Sequence, residues 1–127
     1  MRPLNPPHWP RPKGYSNGIE AEGRIVFVAG MVGWDADGRF PADFPGQFRQ
    51  ALENTLAVLS EADAGPHHIT RMTWFIKGLD HYRDNIPEIG RIYRELIGKN
   101  FPAMAVIGVS DLVEPDALLE IETTAVL

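Results

Sequence analysis

The sequence predicts an α+β protein in which one β-sheet carries two helices on a single face. Two segments repeat apolar residues at helical spacing, and five other segments are short and rich in apolar or β-branched residues. Their order along the chain is β-β-α-β-α-β-β, which is typical of a two-layer sandwich. The chain shows no internal repeat and no linker composition, so we expect a single domain over residues 1–127.

Residues 1–13 form a proline-rich N-terminal arm. Five prolines occur in "MRPLNPPHWPRP", and proline both restricts φ and lacks an amide donor. We therefore expect this arm to be extended and irregular. It should pack over the domain or over a neighbouring subunit, with Trp9 as its anchor.

The next segment, "GYSNGIEAEGRIVFVAG", predicts two short strands joined by a turn. Asn17-Gly18 is a typical hairpin dipeptide, but Ala21-Glu22-Gly23 leaves longer strands on both sides and is favoured. The second strand is apolar at every position from Ile25 to Ala29. A strand without alternation is expected to be covered on both faces.

Two helices follow from apolar periodicity. In "PGQFRQALENTLAVLSEADAG" the apolar stripe is Phe48, Leu52, Leu56 and Leu59, and Gly65-Pro66 should end the helix. In "YRDNIPEIGRIYRELIGKN" Pro87 suits the first turn and Gly98 the end. The apolar stripe of this second helix consists of Tyr82, Ile86, Ile89, Tyr93 and Leu96.

Three further strands are predicted in "HITRMTWFIKGL", "AMAVIGVSDL" and "ALLEIETTAVL". In the last strand, alternation places Leu119 and Ile121 on one face and Glu120 and Glu122 on the other.

The predicted helices are too few to cover both faces of the sheet. Two helices of about 15 residues, each about 10 Å wide, cover one face of a four- or five-stranded sheet. Yet the strands at 25–29, 72–76 and 104–109 look apolar on both faces. We therefore expect the uncovered face to meet another copy of the chain.

Composition narrows the classes of function. The net charge of −5, from 12 basic and 17 acidic residues, disfavours nucleic-acid binding and therefore a ribonuclease. No run of 18 apolar residues indicates a membrane helix, and no charged-then-apolar leader is visible, so we expect a cytoplasmic protein. Without cysteine, and without ligand spacing among the four histidines, we expect no metal and no cofactor.

A few side chains are candidates for chemistry. Glu120 and Glu122 are either two solvated carboxylates or, beside an interface cleft, groups able to activate water. The aromatic residues Tyr15, Trp34, Trp74 and Tyr93 could line a cleft or belong to the core. The residues alone leave both questions open.

Taken together, the segments resemble one known family. "GYSNGI", "VFVAGMVG", "QALENTLAVLSEADAG", "MTWFIKGLDHY" and "FPAMAVIGVSDLVEPDALLEIETTAV" follow one another as in the Rid family. These YjgF/YER057c/UK114 proteins are imine/enamine deaminases, formerly labelled L-PSP endoribonucleases. The resemblance covers residues 14 to 127. It implies a chorismate-mutase-like fold and a homotrimeric barrel with small-molecule clefts between subunits.

The resemblance also assigns roles by position. In the deaminating members a tyrosine and backbone groups shape the cleft, an arginine after Pro-Ala clamps the substrate carboxylate, and a glutamate positions water. Tyr15, Gly30 and Glu120 match the tyrosine, a strand-end glycine and the glutamate. Met104 stands in place of the arginine, Val106 in place of a frequent cysteine and Gly90 in place of a common asparagine.

The change at Met104 alters the expected activity. A thioether cannot replace the charged, bidentate guanidinium, so deamination of 2-aminoacrylate should be weak unless Arg91 or Arg71 substitutes. We expect a divergent imine/enamine deaminase or related C–N hydrolase, with Glu120 catalytic and Tyr15, Gly30, Trp74 and Met104 binding substrate. The alternative is a non-catalytic small-molecule binder or sensor.

Overall fold

The computed structural model describes every residue from Met1 to Leu127. The helices are α1 (Phe44–Ser60), α2 (Leu79–Arg83) and α3 (Ile86–Leu96), and Pro66–His68 form a single 3₁₀ turn. The strands are β1 (Arg2–Pro3), β2 (Ile19–Glu20), β3 (Ile25–Val32), β4 (Ile69–Lys77), β5 (Ala103–Val109) and β6 (Leu119–Val126).

Four strands form the main sheet in the order β3-β6-β4-β5. β6 runs antiparallel to both of its neighbours, whereas β4 and β5 are parallel. The long helices α1 and α3 supply the buried residues that pack on one face of this sheet. The predicted α+β architecture with two main helices is confirmed, but the sheet has four strands, because the first of the five predicted strands pairs with β1 instead. None of the helices has the length and apolar character needed to cross a bilayer.

The helix-covered face of the sheet carries the hydrophobic core. Alternate residues of β4 and β6 point towards the helices and are buried, and α1 presents its predicted apolar stripe, with Leu56 only half-buried. The fully buried side chains of this core include Phe48, Leu52, Leu59, Met72, Ile76, Leu119 and Ile121.

The first helix starts as a capped helix should but ends earlier than predicted. The Asp43 side chain accepts a hydrogen bond from the Gly46 amide at 3.0 Å, which satisfies a free donor of the first turn. The predicted stop at Gly65-Pro66 is wrong by several residues, because the helix ends at Ser60. Asp63 adopts a left-handed φ of 57° and the Ala64 amide bonds back to the Leu59 carbonyl, which closes the helix end.

The second helical segment is divided in two. α2 ends at Arg83, and α3 begins at Ile86 with Pro87 in its first turn, as predicted. Gly98 has a φ of +74°, and its amide donates to the carbonyls of Tyr93 and Arg94. This left-handed residue ends the helix at the glycine that the sequence indicated.

The predicted hairpin between residues 14 and 30 is wrong. β2 pairs with β1 from the proline-rich arm, and β3 pairs with β6 instead. The Gly23 backbone lies so close to the Leu127 carbonyl that an added Cβ would stand 2.0 Å from its oxygen, so the chain meets β6 at this point. Trp9 is 54% exposed and does not anchor the arm within one protomer.

The other face of the sheet, here called the open face, carries no helix. Phe27 on β3 is 77% exposed, and Ile107 on β5 is exposed as well. On β4 the open face presents Thr73 and Phe75 beside the charged Arg71. The prediction that β4 is apolar on both faces is therefore wrong in part.

Candidate functional site

An open cavity of about 580 Å³ lies between α3 and the edge strand β5. It includes three of the residues singled out from the sequence, namely Tyr15, Trp74 and Met104. Gly90, Tyr93 and Val106 also line it. Most of the wall is apolar, which is typical of a small-molecule site.

Met104 owes its position to the register of two parallel strands. It pairs with Met72, and Val106 pairs with Trp74, so both β5 residues lie on the helix-covered face. β5 is the outer strand of the sheet, and Met104 is only half-buried against the core. Its thioether therefore forms part of the cavity wall and is not enclosed in the core.

Tyr15 is held at the cavity by its neighbour Ser16. The Ser16 hydroxyl donates to the Phe101 carbonyl at 2.6 Å, and its amide donates to the Pro102 carbonyl at 3.0 Å. Gly14 has a φ of +80°, a conformation that favours glycine and turns the chain just before Tyr15. These contacts fasten the end of the arm to the start of β5.

An aromatic cluster forms the inner wall. The Trp74 ring lies 4.9 Å from Phe48 and 6.1 Å from Tyr93, between centroids. The Tyr93 hydroxyl donates to the Asn100 carbonyl at 2.7 Å, and burial raises the pKa of this phenol. Trp34 packs on Phe40 and does not line the cavity.

Gly30 and Glu120 lie together at a different place. The register of β3 against β6 shifts between Val28 and Met31, which marks a β-bulge around Gly30. A Cβ on Gly30 would stand 2.5 Å from Glu120 Oε2, so only glycine lets the carboxylate rest against this backbone. Glu120 is half-buried, and its carboxylate makes no ion pair or hydrogen bond within the chain.

Within one protomer the two groups of candidates do not meet. Glu120 pairs with Phe75 and lies on the open face, whereas Met104 lies on the helix-covered face. Their strands are separated by β4 in the sheet order, a spacing of about 10 Å. Tyr15, Trp74 and Met104 therefore form one site region, and Gly30 and Glu120 form another.

The arginines considered as substitutes for the missing guanidinium do not line this cavity. Arg91 donates to Glu88 through Nε at 2.8 Å, and Arg71 lies on the open face near Glu122. The cations that do line it are Arg94 and Lys13, which sequence reasoning missed. The signal for Arg94 was present, since it follows Gly90 by four residues on the predicted helix.

The histidines make local contacts. The His68 Nδ1 atom accepts a hydrogen bond from the Gly65 amide, and His81 stacks on Phe44. No three histidine, aspartate or glutamate side chains come together in a group able to hold a metal ion.

Comparison with known proteins agrees with this architecture. The family model described as Endoribonuclease L-PSP matches residues 9–127. The RutC family protein UK114 of Drosophila melanogaster is 34% identical over 113 residues, which cover 87% of this chain and 78% of that protein. A 2-iminobutanoate/2-iminopropanoate deaminase of Dermatophagoides farinae is 26% identical, and the match covers 99% of this chain and 96% of that protein.

A solved structure is similar over almost the full length. YyfB of Yersinia pestis, described as a protein of the conserved Rid family, superimposes with a TM-score of 0.86 at 33% identity. The superposition covers 99% of this chain and 98% of YyfB. The chain therefore belongs to the Rid (YjgF/YER057c/UK114) family.

Proposed function

We propose that this protein hydrolyses the C–N bond of a small imine or enamine. The observation that carries the proposal is the Glu120 carboxylate, which rests on Gly30 without any ion pair or hydrogen bond. A free, half-buried carboxylate is suited to take a proton from water. The relative from Dermatophagoides farinae, named as an iminobutanoate/iminopropanoate deaminase, supports this class of reaction.

The proposed site requires two copies of the chain. Glu120 and Met104 lie on opposite faces of one sheet, so a cleft that contains both takes them from different protomers. We propose a homotrimer whose open faces pack together, in the cytoplasm. The exposed Phe27 and Ile107 side chains support burial of that face.

The chemistry then follows from the positions of the groups. Glu120 accepts a proton from water while the water oxygen bonds to the imine carbon, and it passes this proton to the nitrogen, which gives a neutral carbinolamine. Glu120 then accepts the proton of the new hydroxyl group and passes it to the nitrogen as the C–N bond breaks, so that ammonia leaves with a carbonyl product. Tyr15, Trp74 and Met104 hold the rest of the substrate.

Met104 restricts which substrates are favoured. A charge-assisted hydrogen bond contributes about 1.5–3 kcal/mol, and a thioether makes no such bond to a carboxylate. The smallest 2-imino acids have little apolar surface to offset that loss. We therefore propose substrates with a larger apolar part, which can pack on Met104, Val106 and Trp74.

A second candidate function is binding without turnover. It is favoured by the absence of any carboxylate side chain from the cavity wall of one protomer. A binder would gain thermal stability from a metabolite without releasing a product. An enzyme would release ammonia.

The decisive experiment compares two carboxylates on one strand. Glu120→Gln should lower ammonia release from a panel of imines by about 100-fold or more, because the general base is lost. Glu122→Gln is the matched control, since Glu122 shares the strand and the face but is exposed. Equal rates for the wild type and both variants, all at the uncatalysed level, would leave only the binding function.

A further inference from the structure

The cavity wall carries two positive charges and no negative one. Lys13 comes from the arm and Arg94 from α3, while the other lining residues are mostly hydrophobic. The chain as a whole has a net charge of −5. Lys13 and Arg94, here called the cationic rim of the cavity, are therefore a local concentration of positive charge on a chain whose net charge is negative.

Both cations are free of internal partners. Neither Lys13 nor Arg94 takes part in an ion pair within the chain. On the same helix Arg91 bonds to Glu88, and the adjacent Glu95 bonds to Arg49. Both acids of α3 are thus already engaged, and Arg94 has no ion pair within the chain, which leaves its guanidinium available to a ligand.

Gly90 has no side chain, so it leaves room for the Arg94 side chain to extend towards the N-terminal end of the helix. Side chains on a helix lean towards its N-terminus, so Arg94 passes over the residue one turn earlier. An ideal Cβ on Gly90 would lie 3.5 Å from Arg94 Nη1, which shows that the guanidinium lies directly over this glycine. Both residues line the cavity.

The floor below this rim is apolar and aromatic. Met104 and Val106 project from β5, and Trp74 and Tyr82 stand beside them with ring centroids 6.4 Å apart. Such a surface binds the apolar body of a ligand, whereas the planar guanidinium suits a carboxylate.

We propose that Arg94, assisted by Lys13, is the anion-binding group of this site, and that the ligand is a carboxylic acid with a branched or aromatic body. The carboxylate lies at the rim on Arg94, and the body lies on Met104 and Trp74. This inference rests on the proposed function in one respect only, namely that this cavity is the substrate site.

Binding of stable probe acids, measured by isothermal titration calorimetry, tests the inference without any turnover. The probes are 3-phenylpropanoate, its neutral amide 3-phenylpropanamide, and acetate, which has no apolar body. The wild type should bind 3-phenylpropanoate at least tenfold more tightly than either of the others. Its affinity should fall as NaCl is raised.

Variants identify the cation. Arg94→Gln should weaken 3-phenylpropanoate binding by about 10- to 100-fold and leave the amide unaffected, because a charge-assisted bond is lost. Arg94→Lys should give an intermediate affinity, and Lys13→Gln a loss of a few fold. Arg91→Gln is the matched control on the same helix, and its affinity should equal that of the wild type.

Several results would overturn the inference. These are equal affinity for the acid and the amide, equal losses in Arg94→Gln and Arg91→Gln, or no binding of 3-phenylpropanoate by the wild type. The outcome is separable from the proposed function. A Glu120→Gln variant that still binds the acid supports the anion site whether or not the protein releases ammonia.

Discussion

The two faces of the sheet differ although the same four strands build them. On the helix-covered face Met72, Ile76 and Leu119 are fully buried within one protomer. On the open face Phe27 is largely exposed and is accompanied by Arg71 and Glu122, which no helix covers. The helix-covered face is thus a core that is buried within one protomer. The open face instead mixes apolar and charged groups, as do surfaces that bind another copy of a chain.

The largest effect is expected on the covered face. Phe48→Ala should lower the free energy of unfolding by about 3–5 kcal/mol, since it removes a buried ring and leaves a cavity beside Trp74. Urea denaturation followed by far-UV circular dichroism measures the change. A loss below about 1 kcal/mol would mean that this face is less tightly packed than the structure indicates.

A change of intermediate size is expected on the open face. Phe27→Glu should weaken association in the proposed homotrimer by about 10- to 1,000-fold, because burial of an unpaired carboxylate costs several kcal/mol. Sedimentation velocity should show a smaller particle, while circular dichroism shows that the protomer remains folded. An unchanged sedimentation coefficient would exclude Phe27 from any interface.

The smallest effect is expected where the covered face meets the cavity. Tyr93→Phe removes the hydrogen bond to the Asn100 carbonyl and should cost about 0.5–1.5 kcal/mol of unfolding free energy. Tyr15→Phe is the control, since the Tyr15 hydroxyl makes no hydrogen bond within the chain and the ring is 40% exposed. Equal stability of the two variants in urea denaturation would show that the Tyr93 bond contributes nothing net.

The features predicted correctly from the sequence are those that neighbouring residues determine. The apolar stripe of α1 and the end of α3 at Gly98 each depend on residues within a few helical turns of one another. The partner of β3 was predicted wrongly because strand pairing depends on residues distant in sequence, here those of β6. Local turn signals at Asn17-Gly18 and Ala21–Gly23 could not reveal that choice.

The residues of the candidate site show the same difference between features that neighbouring residues determine and features that depend on residues distant in sequence. Placing Tyr15 and Met104 at one site depended on family resemblance, since no short motif joins them, whereas Trp74 was one of several aromatic candidates for a cleft. The bulge at Gly30 was not visible, because a glycine at a strand end is equally typical of an ordinary turn. The four-residue spacing places Arg94 on the same helix face as Gly90, but it does not show that this face lines a cavity, and Arg94 was therefore missed.

The burial of Trp74 has a consequence for spectroscopy. Of the three tryptophans, Trp9 and Trp34 are exposed, whereas Trp74 is 5% exposed and its indole N–H is buried without a hydrogen-bond partner. Iodide should therefore quench the red-shifted emission of the first two and leave a blue-shifted component from the third. The remaining emission comes from Trp74, which lines the cavity. Its intensity and wavelength should therefore report whether a ligand is bound in the cavity.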